Sequence, residues 1–144
     1  MPVPEHSLPL RVYYEDTDAG GVVYHANYLK YFERGRTEFL RTLGFEQDKL
    51  ITQQDTIFVV RSLQIDYLQP ARFNDELTIV TRVREMKKAS LKFEQLIRRD
   101  SDMKILCEFS TLVACLRASS LRPQAIPPLI FRAMHDVKET NSAS

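Results

Sequence analysis

The spacing of the apolar segments after residue 56 restricts the fold of this chain more than any other feature. Four segments alternate inward-facing and polar residues, which is the pattern of half-buried strands. The connections between the last three segments are too short for crossover helices, so these strands are expected to be antiparallel. The predicted inward-facing residues are Ile57, Val59, Leu63, Ile65 and Tyr67; Leu77, Ile79, Thr81 and Val83; Leu91, Phe93, Gln95 and Ile97; and the largely apolar run Ile105 to Leu116.

A long helix and a short strand precede these four segments. Apolar residues recur at helical spacing from Asn27 to Leu43, with Asn27 as the predicted N-cap and Gly44 as the stop. Before the helix, Leu8, Leu10, Val12 and Tyr14 share one face of a predicted strand. The order predicts an α+β fold, in which a curved antiparallel sheet of about five strands wraps around one long helix.

The length of 144 residues suits a single domain, residues 1–144, with an ordered core from about residue 8 to 135. No element is predicted for the polar stretch from Gln47 to Thr56. A short final helix is expected to begin near Pro127 and Pro128, and residues 139–144 are expected to fray.

Charge and cysteine content restrict the possible partners and the compartment. The chain carries 20 basic and 19 acidic residues, so its overall charge gives no attraction to nucleic acid or to an anionic membrane. No apolar stretch is long enough to span a membrane, and the N-terminus has no secretory pattern, so we expect a cytoplasmic protein. Cys107 and Cys115 lie at an even separation on one predicted strand, which predicts two buried, reduced thiols.

An acidic cluster, two glycines and a helix follow one another between Asp16 and Asn27. Glycine permits a sharp turn, and the first turn of a helix leaves N–H donors unpaired, so Asp18 is expected beside a ready oxyanion site. A calcium loop beginning at Asp16 would need ligands where Gly20 and Asn27 stand, so no metal site is predicted. The motifs of phosphate-binding loops, zinc proteases and serine hydrolases are absent from the sequence.

Thioester cleavage suits this set of residues. The thiol leaving group has a pKa near that of cysteine, about 8.5, and therefore departs with little acid assistance. Asp18 would either attack the carbonyl carbon or deprotonate a water, while N–H groups at the helix start hold the oxyanion.

Each of these residues also has a simpler interpretation. Asp18 beside glycine is a common turn residue, and His25 near a helix start is often partly buried and satisfied by the backbone. Tyr14 on a strand often belongs to the core. Lys87 and Lys88 either form a solvated surface or hold the phosphates of a substrate such as coenzyme A. Residue type and spacing alone leave these alternatives open.

The chain resembles the hotdog-fold acyl-CoA thioesterases of the para-hydroxybenzoyl-CoA thioesterase family, and most closely their bacterial Tol-Pal-associated branch. The motif that carries the resemblance is Tyr14-x-Asp16-Thr17-Asp18-x-x-Gly21-Val22-Val23-Tyr24-His25-x-x-Tyr28. The similarity covers about residues 8–128 and continues through Tyr31-Phe32-Glu33-Arg34, Phe58-Val59-Val60-Arg61, Tyr67-x-x-Pro70-Ala71-Arg72 and Ser90-Leu91.

The resemblance implies roles for particular residues. Asp18 stands at the position of the catalytic carboxylate, the backbone N–H at His25 polarises the thioester carbonyl, and the side chains of His25 and Tyr14 belong to the active site. Ala89 stands where some relatives have a basic residue. The substrate-binding residues that the resemblance implies are Gly21, Val23, Tyr24, Val59, Val60, Arg61 and, for the coenzyme A phosphates, Lys87, Lys88 and Ser90.

The resemblance also implies that hydrolysis needs no metal or organic cofactor, coenzyme A being part of the substrate. Active sites in this family lie between two subunits, so a homodimer or a dimer of dimers is expected, with an acyl carrier protein as a further partner. Two other functions stay open: a hotdog hydratase or dehydratase that uses Asp18 and His25 as its acid/base pair, and a non-catalytic adaptor that binds acyl-CoA or acyl carrier protein. Acyl-chain preference is not predicted.

Overall fold

The computed structural model describes residues 5–143, with the side chains of residues 5–137. The three helices of this part of the chain are α1 (Asn27–Thr42), α2 (Gln47–Gln54) and α3 (Pro128–Ala143). The strands are β1 (His6–Arg11), β2 (Thr56–Tyr67), β3 (Glu76–Met86), β4 (Ser90–Arg99) and β5 (Ile105–Arg117).

The five strands form one antiparallel sheet in the order β1-β3-β4-β5-β2. The meander β3-β4-β5 confirms the prediction from short connections. Strand β2, which follows the helices, pairs with β5 and forms one edge of the sheet, and β1 forms the other. The register places Ile97 opposite both Ile79 and Cys107, so one row of small and branched side chains crosses the centre of the sheet.

Helix α1 packs across the inner face of the sheet, as the sequence predicts. The ring of Phe32 stacks on that of Phe109 with centroids 4.4 Å apart. Gly35 brings the helix very close to β3 and β4, since a Cβ at this position would lie 2.8 Å from Ile79 Cγ2. The buried residues of the helix are Tyr28, Tyr31, Phe32, Gly35, Phe39 and Leu40.

The first strand is shorter than predicted. β1 ends at Arg11, and Tyr14–Asp16 form a single 3-10 turn instead of the end of a strand. Tyr14 is 80% exposed, so its assignment to the core and to the inward face of β1 is wrong. The chain leaves the sheet because the Val12 N–H donates to Asp75 O and the Tyr13 N–H to Asp16 Oδ2, which turns it away from β3.

A β-bulge in β2 interrupts the alternation of inward and outward side chains that is predicted for that strand. The register shifts between Val60 and Ser62. Phe58 and Val60 lie opposite buried Cys115 and Val113 and therefore face inward, so the inward assignment of Ile57 and Val59 is wrong. After the bulge the predicted alternation is correct, because the inward residues are Leu63, Ile65 and Tyr67.

Helix α1 begins and ends close to the predicted positions, α3 begins close to its predicted start, and α2 is an addition. The N-cap of α1 is Ala26, one residue before the predicted Asn27, and Gly44 follows the helix with φ +95° as expected of a stop. Helix α2 occupies the polar stretch for which no element is predicted, and it contacts β2 through buried Leu50. Helix α3 begins at Pro128 as predicted, but it is longer than the short helix expected, because its backbone stays helical to Ala143 through the residues that were expected to fray. Ser144 lies outside the described residues.

Both cysteines lie on β5, free and buried, as predicted. Burial raises the pKa of the Cys107 thiol to about 12, so this thiol is protonated at neutral pH. Within residues 5–143, no helix is long and apolar enough to cross a membrane.

Candidate active site

A short hairpin-like turn holds Asp18. Residues 16–23, called the acidic turn below, fold back so that Thr17 bridges to Val23 and the Asp18 N–H donates to Val22 O at 2.9 Å. The Gly21 N–H donates to Asp18 O at 3.0 Å, and Gly21 adopts a φ of +78° that favours glycine. The interpretation of Asp18 as a turn residue is therefore correct for its backbone.

The carboxylate of Asp18 is oriented by Gly20, two residues further along the chain. Gly20 N–H donates to Asp18 Oδ1 at 2.8 Å, which fixes one carboxylate oxygen toward the backbone of the turn. Among the described residues, no hydrogen bond to Asp18 Oδ2 is present, and the side chain is exposed in the single chain. An exposed, oriented carboxylate with a free oxygen can act as a nucleophile or as a general base.

The acidic turn is fastened to the start of α1. Asp16 O accepts hydrogen bonds from the Tyr24 N–H at 3.0 Å and from Asn27 Nδ2 at 2.8 Å, so the first residue of the helix holds the turn through its side chain. On the other side the Val23 N–H donates to Ala71 O at 2.8 Å. These bonds explain why Asn27 is not the N-cap, because its side chain is used to hold the turn.

The helix start offers N–H donors. Asn27 and Leu29 donate to Tyr24 O and Ala26 O, whereas in the described part of the chain the N–H groups of His25 and Ala26 donate to no backbone carbonyl. Unpaired N–H groups and the helix dipole together give partial positive charge at this end of α1. The site predicted for an oxyanion is therefore available beside the acidic turn.

Two aromatic side chains, Tyr24 and Tyr67, contact His25. Its ring lies 4.5 Å from the Tyr24 ring and 6.4 Å from the Tyr67 ring, measured between centroids, and its carbonyl accepts a hydrogen bond from the Tyr67 hydroxyl at 2.9 Å. His25 is exposed, so its interpretation as a partly buried histidine is wrong. Tyr67 was not predicted as a site residue, because its contact with His25 spans 42 positions of sequence.

A buried layer beneath the acidic turn supports it. Tyr28 is buried, and its hydroxyl accepts a hydrogen bond from the Ala71 N–H at 3.0 Å. The Tyr31 hydroxyl is buried and makes no hydrogen bond of good geometry with the described residues. Burial raises the pKa of Tyr31, and the neighbouring Asp16 carboxylate raises it further. Both phenols therefore stay neutral, and the Tyr28 hydroxyl joins the helix start to Ala71, whose carbonyl also accepts a hydrogen bond from Val23 of the acidic turn.

Tyr14 lies apart from this arrangement. It packs edge-on against Phe73 with ring centroids 5.9 Å apart, and both side chains are largely exposed. Its backbone carbonyl accepts hydrogen bonds from Thr17, so within one chain Tyr14 contributes to the acidic turn through its backbone.

The predicted phosphate-binding residues lie at the other end of the sheet. Lys87 and Lys88 follow β3, whereas the acidic turn contacts Ala71, before β3 begins. Both lysines line an open groove of about 630 Å³, called the basic groove below, together with Arg132, Phe131 and Ile126. Ser90 lies in a neighbouring hollow instead. The sequence gives no signal for Arg132 and Phe131 at this groove, because only the packing of α3 brings them to the lysines.

A second cavity lies beside α1. This helix cavity has a volume of about 210 Å³ and is lined by Arg36 and Glu33 of α1 and by mostly apolar side chains, among them Val60 and Phe93. Of the predicted residues Val59, Val60 and Arg61, only Val60 lines it, because the bulge turns Val60 inward and Val59 outward. Asp18, His25 and Tyr14 line none of these cavities.

A wider depression of about 710 Å³ lies on the outer face of the sheet, among charged side chains such as Arg82, Arg98 and Glu108. It contains none of the predicted site residues. In residues 5–143 there is also no group of three or more metal-ligating side chains.

A family model described as the thioesterase superfamily matches residues 20–106. The chain belongs to the thioesterase superfamily. This match includes His25, Lys87 and Lys88 and begins just after Asp18. The fold is therefore the predicted hotdog fold, with α1 as the helix that the sheet surrounds.

Individual members of the superfamily resemble most of the chain. The acyl-CoA thioesterase YbgC of Haemophilus influenzae is 48% identical over 132 residues, which cover 92% of this chain and 96% of that protein. The acyl-CoA thioester hydrolase YbgC of Escherichia coli is 45% identical over 122 residues, 85% of this chain and 90% of that protein. The crystal structure of a probable thioesterase from Bartonella henselae superposes with a TM-score of 0.80 at 37% identity, covering 85% of this chain and 99% of that one.

Proposed function

We propose that this protein is an acyl-CoA thioesterase in which Asp18 is the catalytic carboxylate and the N–H groups at the start of α1 form the oxyanion site. The observation that carries the proposal is the bonding of the acidic turn to Asn27, which keeps the oriented carboxylate beside unpaired helix donors. The two YbgC relatives, named for acyl-CoA thioester hydrolysis, support this substrate class.

The reaction needs two bond changes at the thioester carbonyl. An oxygen, either Asp18 Oδ2 itself or a water that Asp18 deprotonates, forms the new bond to carbon, and the carbon–sulfur bond then breaks to release the coenzyme A thiolate. In the first route a second attack by water resolves a mixed anhydride and frees Asp18. Charge that develops on the carbonyl oxygen would be held by the N–H groups of His25 and Ala26, worth roughly 3 kcal/mol for one such donor. Neither route uses a metal or organic cofactor.

The distance between the acidic turn and the basic groove supports a site shared by two subunits. Strand β3 separates them, and ten residue steps of a strand span roughly 33 Å. The thirteen bonds between the sulfur and the nearest phosphorus of coenzyme A extend to roughly 17 Å at standard bond lengths. A coenzyme A whose sulfur lies at Asp18 therefore does not bring its nearest phosphate to Lys87 and Lys88 of the same chain.

An antiparallel pairing of β2 with its copy in a second subunit would solve this problem. In the described part of the chain β5 is the only strand that pairs with β2, and Val60, Leu63 and Tyr67 are each more than 40% exposed along it. A twofold axis places the Tyr67 end of one strand beside the Thr56 end of the other, where Lys87 and Lys88 project. We infer a homodimer, or a dimer of dimers, in which each site takes Asp18 from one subunit and the basic groove from the other.

The test of the hydrolase activity is thiol release from a panel of acyl-CoAs and one acyl carrier protein thioester. Asp18→Asn should reduce kcat by at least 100-fold, because it removes both the nucleophile and the base while preserving shape. Glu15→Gln is the matched control, since it removes an exposed carboxylate one turn away. Wild-type rates in Asp18→Asn would contradict the proposal.

The same panel separates the other possible functions. Tight binding of acyl-CoA with no turnover of any donor would indicate the non-catalytic adaptor, and hydration of an enoyl-CoA without thiol release would indicate the hydratase. The positive charge of the basic groove also suits an acidic acyl carrier protein. We therefore propose that acyl carrier protein thioesters are a second class of substrate. Their turnover should fall with rising salt more steeply than that of a free acyl-CoA.

A further inference from the structure

Two successive peptide groups at the start of α1 share one arrangement. In each, the carbonyl oxygen accepts a hydrogen bond, whereas the N–H group donates to no backbone carbonyl of the described residues. The Tyr24–His25 peptide contributes Tyr24 O, which accepts from the Asn27 N–H at 2.8 Å. The His25–Ala26 peptide contributes His25 O, which accepts from the Tyr67 hydroxyl at 2.9 Å. The second peptide is therefore held by a side chain from a distant part of the sequence.

Tyr67 reaches this peptide from a fixed position in the sheet. It is the last residue of β2 and lies opposite buried Cys107 of β5. The N–H of the next residue, Leu68, donates to Leu106 O at 2.9 Å. The Tyr67 ring packs edge-on against the buried ring of Tyr28, with centroids 5.3 Å apart. Because its backbone and its ring are both held, the hydroxyl fixes the helix start relative to the sheet.

The hydrogen bond to His25 O also fixes the direction of the Ala26 N–H. The His25–Ala26 peptide is trans, and the C=O and N–H of a planar trans peptide point in opposite directions. With its oxygen held by Tyr67, this peptide therefore directs the Ala26 N–H away from Tyr67. A carbonyl that accepts a hydrogen bond also polarises its own peptide, since linked hydrogen bonds strengthen one another by roughly 10–30% per bond. Both effects make the Ala26 N–H a better donor to an oxyanion.

The Tyr67 hydroxyl is available as a donor at neutral pH. A phenol has an ordinary pKa of about 10, and burial raises the pKa of Tyr67 further, so the group keeps its proton. The side chain is 47% exposed in a single chain. In the inferred dimer this end of β2 lies beside the Thr56 end of the partner strand, which would shield the hydrogen bond from water.

We propose that Tyr67 is a positioning residue of the oxyanion site, which acts through the His25–Ala26 peptide and not on the substrate itself. This inference rests on the proposed function, because it requires the thioester oxygen to lie at the N–H groups of the helix start. As negative charge develops on that oxygen, the peptide held by Tyr67 presents its N–H without reorienting. Donors oriented in advance act on the transition state more than on the bound substrate. Loss of the Tyr67 hydroxyl should therefore lower kcat and leave KM nearly unchanged.

Tyr67→Phe tests this role in thiol-release kinetics, because it removes the hydroxyl and keeps the ring that packs on Tyr28. Removal of an oxyanion donor outright lowers kcat by roughly 100-fold or more, whereas this change only releases a donor. We therefore expect kcat to fall by roughly fivefold to twentyfold, with KM within about twofold of wild type. Tyr13→Phe is the matched control, since Tyr13 is 62% exposed in the segment before the acidic turn, and it should retain the wild-type kcat. A wild-type kcat in Tyr67→Phe would overturn the proposal.

An infrared measurement separates this role from a merely structural one and from the proposed function. The probe is the acyl-CoA of the panel with the lowest KM, isotopically labelled at its thioester carbonyl and bound to Asp18→Asn so that it is not turned over. Hydrogen bonds to the carbonyl oxygen lower its stretching frequency, and adding Tyr67→Phe should return this frequency toward that of the free substrate, whereas adding Tyr13→Phe should not.

Two results of this measurement would contradict the proposal in different ways. A lowered frequency that Tyr67→Phe leaves unchanged would overturn the role of Tyr67 alone and support the oxyanion site of the proposed function. A bound frequency equal to the free one while Tyr67 is intact would overturn that oxyanion site and, with it, the role of Tyr67.

Discussion

The two adjacent glycines of the acidic turn face different constraints. A Cβ at Gly20 would lie 3.2 Å from Asp18 Oδ1, whereas a Cβ at Gly21 would meet nothing within 4 Å but would force an L-residue to a φ of +78°. The first substitution therefore acts on the carboxylate and the second on the backbone.

We expect Gly20→Ala to lower kcat by roughly threefold to tenfold, because a catalytic group misplaced by 1 Å can cost about 100-fold and this shift is smaller. Its free energy of unfolding should stay within about 0.5 kcal/mol of wild type. Gly21→Ala should lower the free energy of unfolding by about 1–2 kcal/mol. Thiol-release kinetics and urea unfolding of both variants provide the measurements, and an undiminished kcat in Gly20→Ala would show that Gly20 does not orient the catalytic carboxylate.

For single residues, the sequence predicts which side chains take part in the chemistry better than it predicts which distant residues they contact. Asp18 and the helix start follow one another closely in the chain, so local rules about turns and helix termini are enough to associate them. Tyr67 and Arg36 owe their contacts to pairings 42 and 59 positions away, with His25 and Gln95. Residue type and spacing contain no information about such distant contacts.

Helix α1 is joined to the sheet at Gly35. Gln95 Nε2 donates to Phe32 O and to Thr81 Oγ1, each at 2.9 Å, so a buried amide joins the helix to two strands. A Cβ at Gly35 would lie 2.9 Å from Thr81 Oγ1 and 3.0 Å from Gln95 Nε2. Only glycine allows the helix this close approach.

Gly35→Ala should therefore destabilise the protein although alanine is the better helix former. Overpacking costs about 1–3 kcal/mol, whereas the gain in helix propensity is about 1 kcal/mol, so we expect a net loss of up to about 2 kcal/mol in the free energy of unfolding. Lys30→Ala, at an exposed position of the same helix, is the control and should change stability by less than about 0.5 kcal/mol. Urea unfolding midpoints compare the two, and a stabilised Gly35→Ala would show that the sheet yields to the extra methyl group.

The elements themselves were predictable where the hydrophobic period was long and regular. The strands β3, β4 and β5 and the helix α1 follow strict patterns, and each was predicted within a few residues. Helix α2 was missed because its polar sequence buries a single residue, Leu50. The bulge at Arg61 was missed because an inserted residue does not interrupt an apolar run such as Phe58 to Val60.

At the scale of the whole molecule, the proposed catalytic carboxylate and the proposed phosphate-binding lysines lie far apart within one chain. Asp18 stands at one end of the sheet and Lys87 and Lys88 at the other. If each active site combines two subunits, Asp18→Asn and the double change Lys87→Glu with Lys88→Glu damage different halves of a site. A dimer of one variant subunit with the other then contains one intact site and one site with both defects.

We therefore expect complementation when the two variants are co-expressed with different affinity tags and the mixed dimer is purified. Each homodimer should hydrolyse acyl-CoA poorly, because Asp18→Asn lowers kcat and the double lysine change raises KM. The mixed dimer should recover about half of the wild-type activity with a wild-type KM. A mixed dimer no more active than the homodimers would show that no active site combines Asp18 of one subunit with the basic groove of the other. Recovery has a single geometric cause, because only a site that takes Asp18 from one subunit and the lysines from the other is intact in this pairing.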